Sequence, residues 1–147
     1  MGVKALGYVI IETAQPDRWD HFLCQVAGVM RGDGAPPGAA NYRIDQRPFR
    51  FQVREGSAER LLAAGYEVES ADALDSLAEA IRGAGRPVEP GSPEEAAARR
   101  VNGFFRTTDP AGNRLEFFHG DSRDDTPFVS PAGVPAFVTG EMGMGHA

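Results

Sequence analysis

The sequence predicts an α+β domain made of two tandem βαβββ modules, over about residues 1–57 and 58–120. Three observations carry that reading. A Gly-Tyr pair inside a strand-like run occurs twice, in Leu6-Gly7-Tyr8-Val9-Ile10 and, 58 residues later, in Ala64-Gly65-Tyr66-Glu67-Val68. Each run is followed by one helical pattern. Each helical pattern is followed by further short strand-like runs. A single helix per module covers one face of a small sheet, so the two remaining faces are expected to pack together or to enclose a cleft.

In the first module, Val3 to Thr13 is rich in β-branched residues and reads as a strand. Pro16 suits the first turn of a helix, where its missing N–H costs nothing. Trp19, Phe22, Leu23 and Val26 then fall at i, i+3, i+4 and i+7, the spacing of one buried stripe, and Gly28 marks the helix end. Residues 32–40, with three glycines and two prolines, read as a loop. Tyr42 and Ile44, then Phe49, Phe51 and Val53 against Arg50 and Gln52, predict two strands with one buried face, paired as a hairpin around Asp45-Gln46-Arg47.

The second module repeats the plan. A strand over Leu62 to Glu69 leads to Ser70 as N-cap, and Leu74, Leu77 and Ile81 form the helical stripe. Ser92-Pro93-Glu94-Glu95 is a capping box with proline at the first helical position, predicting a short helix through Arg99. Val101 to Thr108 and Arg114 to His119 read as strands, joined by the turn residues Asp109-Pro110-Ala111-Gly112-Asn113. Residues 121–140, polar and punctuated by proline, read as a linker leaving the domain.

Of the 147 residues, 41% are hydrophobic, enough for a packed core, and no apolar run has the length of a membrane span. The start of the chain has no secretory-signal pattern, and the lone Cys24 suits a reducing compartment, so a cytoplasmic protein is expected. The net charge of −6 is spread over interspersed acids and bases, without the basic patch that nucleic-acid binding needs.

Leu6-Gly7-Tyr8, Trp19, Val26-Ala27-Gly28-Val29, Tyr42-Arg43-Ile44-Asp45 with Arg47-Pro48-Phe49-Arg50, Ala64-Gly65-Tyr66-Glu67, Arg99-Arg100-Val101, Leu115-Glu116 and Phe118-His119-Gly120 follow one another in a familiar order. The sequence resembles the vicinal oxygen chelate superfamily, and within it the amino-terminal domain of type I extradiol ring-cleaving dioxygenases of the 2,3-dihydroxybiphenyl and steroid-catechol group. The most specific segment is Phe137-Val138-Thr139-Gly140-Glu141-Met142-Gly143-Met144-Gly145-His146, which is similar to the entry into the catalytic second domain. The resemblance implies that residues 1–120 are a non-catalytic domain, 121–140 a linker and 141–147 the start of a catalytic domain. It also implies an enzyme that cleaves a catechol with O₂ at Fe(II), in some members Mn(II), as a cytoplasmic homo-oligomer. A facial triad of two histidines and one carboxylate leaves open positions for catecholate and O₂. By resemblance His146 is the first metal ligand, with the other two beyond residue 147. The 147 residues alone are then expected to bind no metal and to be inactive, the nearest partner being the chain's own carboxy-terminal catalytic domain.

Leu6-Gly7-Tyr8-Val9 parallels Met144-Gly145-His146-Ala147, so a phenol stands in the first module where the later one has a ligand. Glu116 falls where the superfamily puts its carboxylate. Tyr8 and Glu116 are therefore the candidate remains of a duplicated site. Two features are expected to limit it: His119, three residues on, faces the other side of the strand, and Glu116 is expected to pair weakly with Arg114 at a sheet edge. Tyr8 is expected to share a buried face with Leu6 and Ile10. His21 reads as solvent-facing and Cys24 as an inert, partly buried thiol. A competing reading is a stand-alone small-molecule-binding protein of the bleomycin-resistance or glyoxalase-like type, which leaves the segment from Phe137 to His146 unexplained.

Overall fold

The computed structural model describes residues 2–145. Its first module comprises strand β1 (Val3–Thr13), helix α1 (Pro16–His21), and strands β2 (Met30–Gly32), β3 (Ala39–Arg43) and β4 (Phe51–Glu55). The second comprises β5 (Arg60–Val68), α2 (Ala71–Gly83), β6 (Glu89–Pro90), α3 (Pro93–Arg99), β7 (Val101–Thr108) and β8 (Arg114–Asp121). Among the described residues, eight strands form one sheet in the order β2-β3-β4-β1-β5-β8-β7-β6. Each module contributes its four strands in the same relative order, and the two meet where β1 and β5 pair antiparallel. The tandem α+β duplication is therefore present. The expectation of two separate sheets is corrected: the modules join edge to edge, because the β1–β5 pairing satisfies two sheet edges that would otherwise lie bare.

This junction explains the repeated Gly-Tyr pair. Tyr8 lies opposite Gly65 across the β1–β5 ladder. A Cβ on Gly65 would come within 2.3 Å of the Tyr8 ring, and a Cβ on Gly7 within 2.3 Å of Phe118. The glycines leave room for aromatic rings to lie against the backbone. Tyr8 and Phe118 stack at 5.1 Å, and both join Ile10, Phe49, Ala96 and Phe104 in one core cluster. A β-bulge between Leu6 and Tyr8 corrects the expected alternation, placing Leu6 with Val9 and Ala64 while Tyr8 packs with Ile10.

The first helix departs from its predicted form. After α1 the chain continues as a π-helical turn, Phe22–Val26, whose wider winding breaks the 3.6-residue stripe. Leu23 and Cys24 turn inwards, whereas Phe22 is 50% exposed and Val26 65%. By contrast Ser70 caps α2 through the Ala73 N–H, and Leu74 buries against Val68, Phe105 and Phe117 with Leu77 and Ile81 beside it. The capping box of α3 forms in full: the Ser92 hydroxyl accepts from Glu95 N–H, and the Glu95 carboxylate accepts from Ser92 N–H.

The predicted β3–β4 hairpin is present, with Tyr42 opposite Phe51, but the one-buried-face pattern is not. Successive residues Gln52 and Val53 point to opposite faces and both are buried, as is Arg50 just before the strand, so both faces of β4 are covered. In the loop between these strands Arg50 grips Asp45 with Nη2 at 2.6 Å from Oδ2 and Nε at 3.1 Å. Its Nη1 donates to the carbonyls of Leu6 and Gly7. That arginine ties the hairpin loop to the junction strand.

After β8 the chain has no helix or strand up to the 3-10 turn Gly140–Met142, and it packs back on the domain. Asp124 N–H donates to the Gln46 carbonyl, Arg43 Nη2 donates to the Thr126 carbonyl, and Phe137 and Met144 pack against the first module. Gly143 then bridges Leu6 in parallel register, which lays the segment along β1.

Candidate functional site

Glu116 sits mid-way along β8, an interior strand flanked by β5 and β7, and its side chain is 0% exposed. A carboxylate so buried is tolerated only when charged and hydrogen-bonding partners surround it. Arg99 supplies both: Nε lies 2.6 Å from Oε2 and Nη2 lies 2.7 Å from Oε1. This is the bidentate fork that a planar guanidinium makes with a carboxylate. The Tyr8 hydroxyl donates to Oε2 at 2.8 Å, and Arg114 Nε stands 3.9 Å from Oε1.

Each partner is placed by a local rule of the sequence. Arg99 is the last residue of α3, which its capping box starts and Arg100, in the left-handed region at φ 58°, ends. That stop aims the guanidinium back under the helix, where it lies 4.3 Å from the centre of the Phe104 ring and donates to the Glu95 carbonyl. Tyr8 reaches Glu116 across the space that Gly65 leaves open. Burial, reinforced by the negative charge of Glu116, raises the Tyr8 pKa well above the ordinary phenol value. Tyr8 therefore remains a neutral donor.

The two relic-site residues that the sequence singled out, Tyr8 and Glu116, are in contact. The expectation that Glu116 pairs weakly with Arg114 at an edge is corrected, because β8 is interior and Arg99 takes the carboxylate. His119 lies on the face opposite Glu116, with Nε2 3.3 Å from where a Cβ on Gly103 would stand. His21 is exposed, and burial raises the pKa of the Cys24 thiol. His146 lies outside the described residues. Arg99 had no assigned role in the sequence, since an arginine at the end of a short capped helix gives no sign of where its guanidinium goes.

This donor set does not fit a metal ion. Both oxygens of Glu116 are engaged, and the nearest cation is a guanidinium held in place by the fold. Among the described residues no group of three His, Cys, Asp or Glu side chains is arranged to hold a metal. Arg99 provides the positive charge that a metal would bring to such a carboxylate.

A direct consequence is a pH effect. The folded pKa of Tyr8 lies above its unfolded value of about 10, so its stabilising contribution is complete below pH 10 and declines as pH rises through the folded pKa. Tyr42, buried and bonded to Asp20, shifts the same way. Thermal midpoints measured from pH 8 to 11.5 should fall above pH 10, and Tyr8→Phe should flatten that fall; an unchanged slope would remove Tyr8 from the account.

Residues 6–56 match the family model for the first domain of dihydroxybiphenyl dioxygenase, BphC D1. The whole chain is 37% identical over 147 residues to 3-methylcatechol 2,3-dioxygenase of Pseudomonas putida, covering 99% of this chain and 50% of that protein. It is 35% identical over 146 residues to an iron-dependent extradiol dioxygenase of Rhodococcus jostii, covering 99% and 48%. Among solved structures, the halotolerant catechol dioxygenase BphC superposes with a TM-score of 0.92 at 27% identity, over 98% of this chain and 48% of that one. In sequence and fold, this chain matches the amino-terminal half of extradiol dioxygenases. It spans about half the length of the relatives it matches. Measured against that dioxygenase fold, the buried Tyr8–Glu116–Arg99 set belongs to the first-half sheet. No described helix is long and apolar enough to cross a membrane.

Proposed function

We propose that this chain is the non-catalytic first half of an enzyme that opens a catechol ring with O₂ at a metal held by a second half. The observation that carries the reading is a pairing of two facts. The chain aligns almost end to end with half of each catechol dioxygenase it resembles, and its own candidate carboxylate is locked to an internal guanidinium. A half whose described residues hold no metal site serves the reaction by bracing the half that has one. The segment along β1, where Gly143 bridges Leu6, leads to His146, the first ligand on this reading. The metal, Fe(II) or Mn(II), would bring catecholate and O₂ together at its open positions. The substrate is a catechol of the biphenyl-diol or steroid type, and the enzyme is a cytoplasmic homo-oligomer.

The test compares the 147-residue protein with a version extended by a second half, both supplied with Fe(II) and a catechol in air. The extended protein should form the yellow ring-fission product and retain close to one metal per chain after desalting. The 147-residue protein should do neither. Product formation by the short protein, in proportion to its concentration, would overturn the reading.

A further inference from the structure

The fully buried arginines of this protein all come with carboxylates. Arg43, Arg47, Arg50 and Arg99 each lie within 3.6 Å of an oxygen of Asp124, Glu67, Asp45 and Glu116 respectively. Arg54, half-buried near the end of β4, breaks the pattern. Its Nε donates to Gln52 Oε1 at 2.7 Å, and among the described residues no carboxylate oxygen lies within ion-pairing distance of its guanidinium. Gln52 is in turn held by Asn41, so this floor of the sheet is a fixed polar surface. Burial, then the positive charges of Arg99 and Arg114, press against the charge of Arg54, with Glu116 and Tyr8 opposing them. Glu116, however, is already engaged by Arg99 and Tyr8. Arg99 and Arg114 both face Glu116, whereas Arg54 has no carboxylate of its own, so its charge is open to an incoming anion.

Arg54, Arg99 and Arg114 line a single open cleft of about 570 Å³ between the turn before β3 and helix α3. We propose that this cleft binds a small monocarboxylate, with its carboxylate on Arg54 and Arg114 and its apolar part against Pro36, Pro37 and Ala98. A guanidinium fork matches the planar carboxylate, and Arg114, whose side chain is 36% exposed, stands where an incoming ligand meets it first. Glu55, Glu94 and Glu95 line the same cleft and repel a second negative charge, which selects against phosphate and dicarboxylates. The proline and alanine wall favours a ligand with an apolar body over a bare inorganic ion. The inference stands apart from the ring-opening reading, since none of these residues holds the catechol or the metal in it.

Benzoate titrated into the 147-residue protein at constant ionic strength tests the site, with benzamide and inorganic phosphate as comparisons. Benzoate should shift the Arg54 Nε–Hε resonance saturably and raise the thermal midpoint with concentration. Benzamide, which has the same shape without the charge, should do neither, and phosphate should bind at least about tenfold more weakly. Arg54→Gln should weaken benzoate binding by at least about tenfold, and Arg114→Gln by several-fold. Because Arg114 is at the exposed lip, its variant decides the matter should Arg54→Gln fail to fold. Benzamide or phosphate binding as well as benzoate overturns the proposal, and so does benzoate binding that survives the arginine substitutions unchanged.

Discussion

Arg99→Ala is expected to lower the folding free energy by about 3–5 kcal/mol, a large share of the stability of a domain of this size. The substitution leaves Glu116 fully buried with only the Tyr8 hydroxyl directly bonded to it, and Arg114 no nearer than 3.9 Å. It also removes the guanidinium stacked on Phe104 and the bond to the Glu95 carbonyl, so α3 keeps Ala96 in the core but loses part of its anchorage to the sheet. Urea unfolding of the single variant measures the loss. The double variant Arg99→Met/Glu116→Leu should recover most of it, because apolar residues of similar volume replace a buried ion pair at little cost. A cost below about 1 kcal/mol for Arg99→Ala would place the pair among weak surface contacts and contradict its burial. Tyr8→Phe should cost less, about 1.5–3 kcal/mol, as the loss of one hydrogen bond to a charged acceptor.

His146→Ala, in a protein extended by a second half, is expected to empty the metal site and abolish ring cleavage. The loss should exceed the roughly 10- to 100-fold that substitutions behind a metal's direct ligands cause. Tyr8→Phe and Glu116→Gln in the same protein should leave metal content near one per chain, because their partner is Arg99 rather than a metal. Metal analysis after desalting separates the cases independently of turnover. If Glu116→Gln strips the metal while His146→Ala retains it, the active site lies in the first half and the proposed division of labour is wrong.

Local chemistry made much of this architecture legible. The capping box at Ser92, the N-cap at Ser70, the turn at Asp109 and the strand over Val101 to Thr108 are set by neighbours a few residues away, and these elements formed within two residues of their expected bounds. The repeated Gly-Tyr pair revealed the duplication without revealing its reason, which is the space each glycine leaves for a ring from elsewhere in the chain. The π-helical turn at Phe22 was not legible, because a stripe at 3.6-residue spacing presumes the winding it is used to predict. Nor was the return of residues 122–139 along the first module, since polar and proline-rich composition reports local stiffness and not distant contacts.

The sequence by itself determined the tandem modules, the order of the longer elements without the short strands β2 and β6, and the pairing of interest between Tyr8 and Glu116. Tertiary structure alone decided that the two modules form one sheet, which made β1 and β5 interior strands, and that Gln52, Arg50 and Glu116 are buried. It also decided that Arg99, 17 positions before Glu116, neutralises that carboxylate. The physical reason is the same in both cases: burial depends on which strand lies alongside which. A buried charge must find its counter-charge in space, wherever along the chain that residue happens to fall.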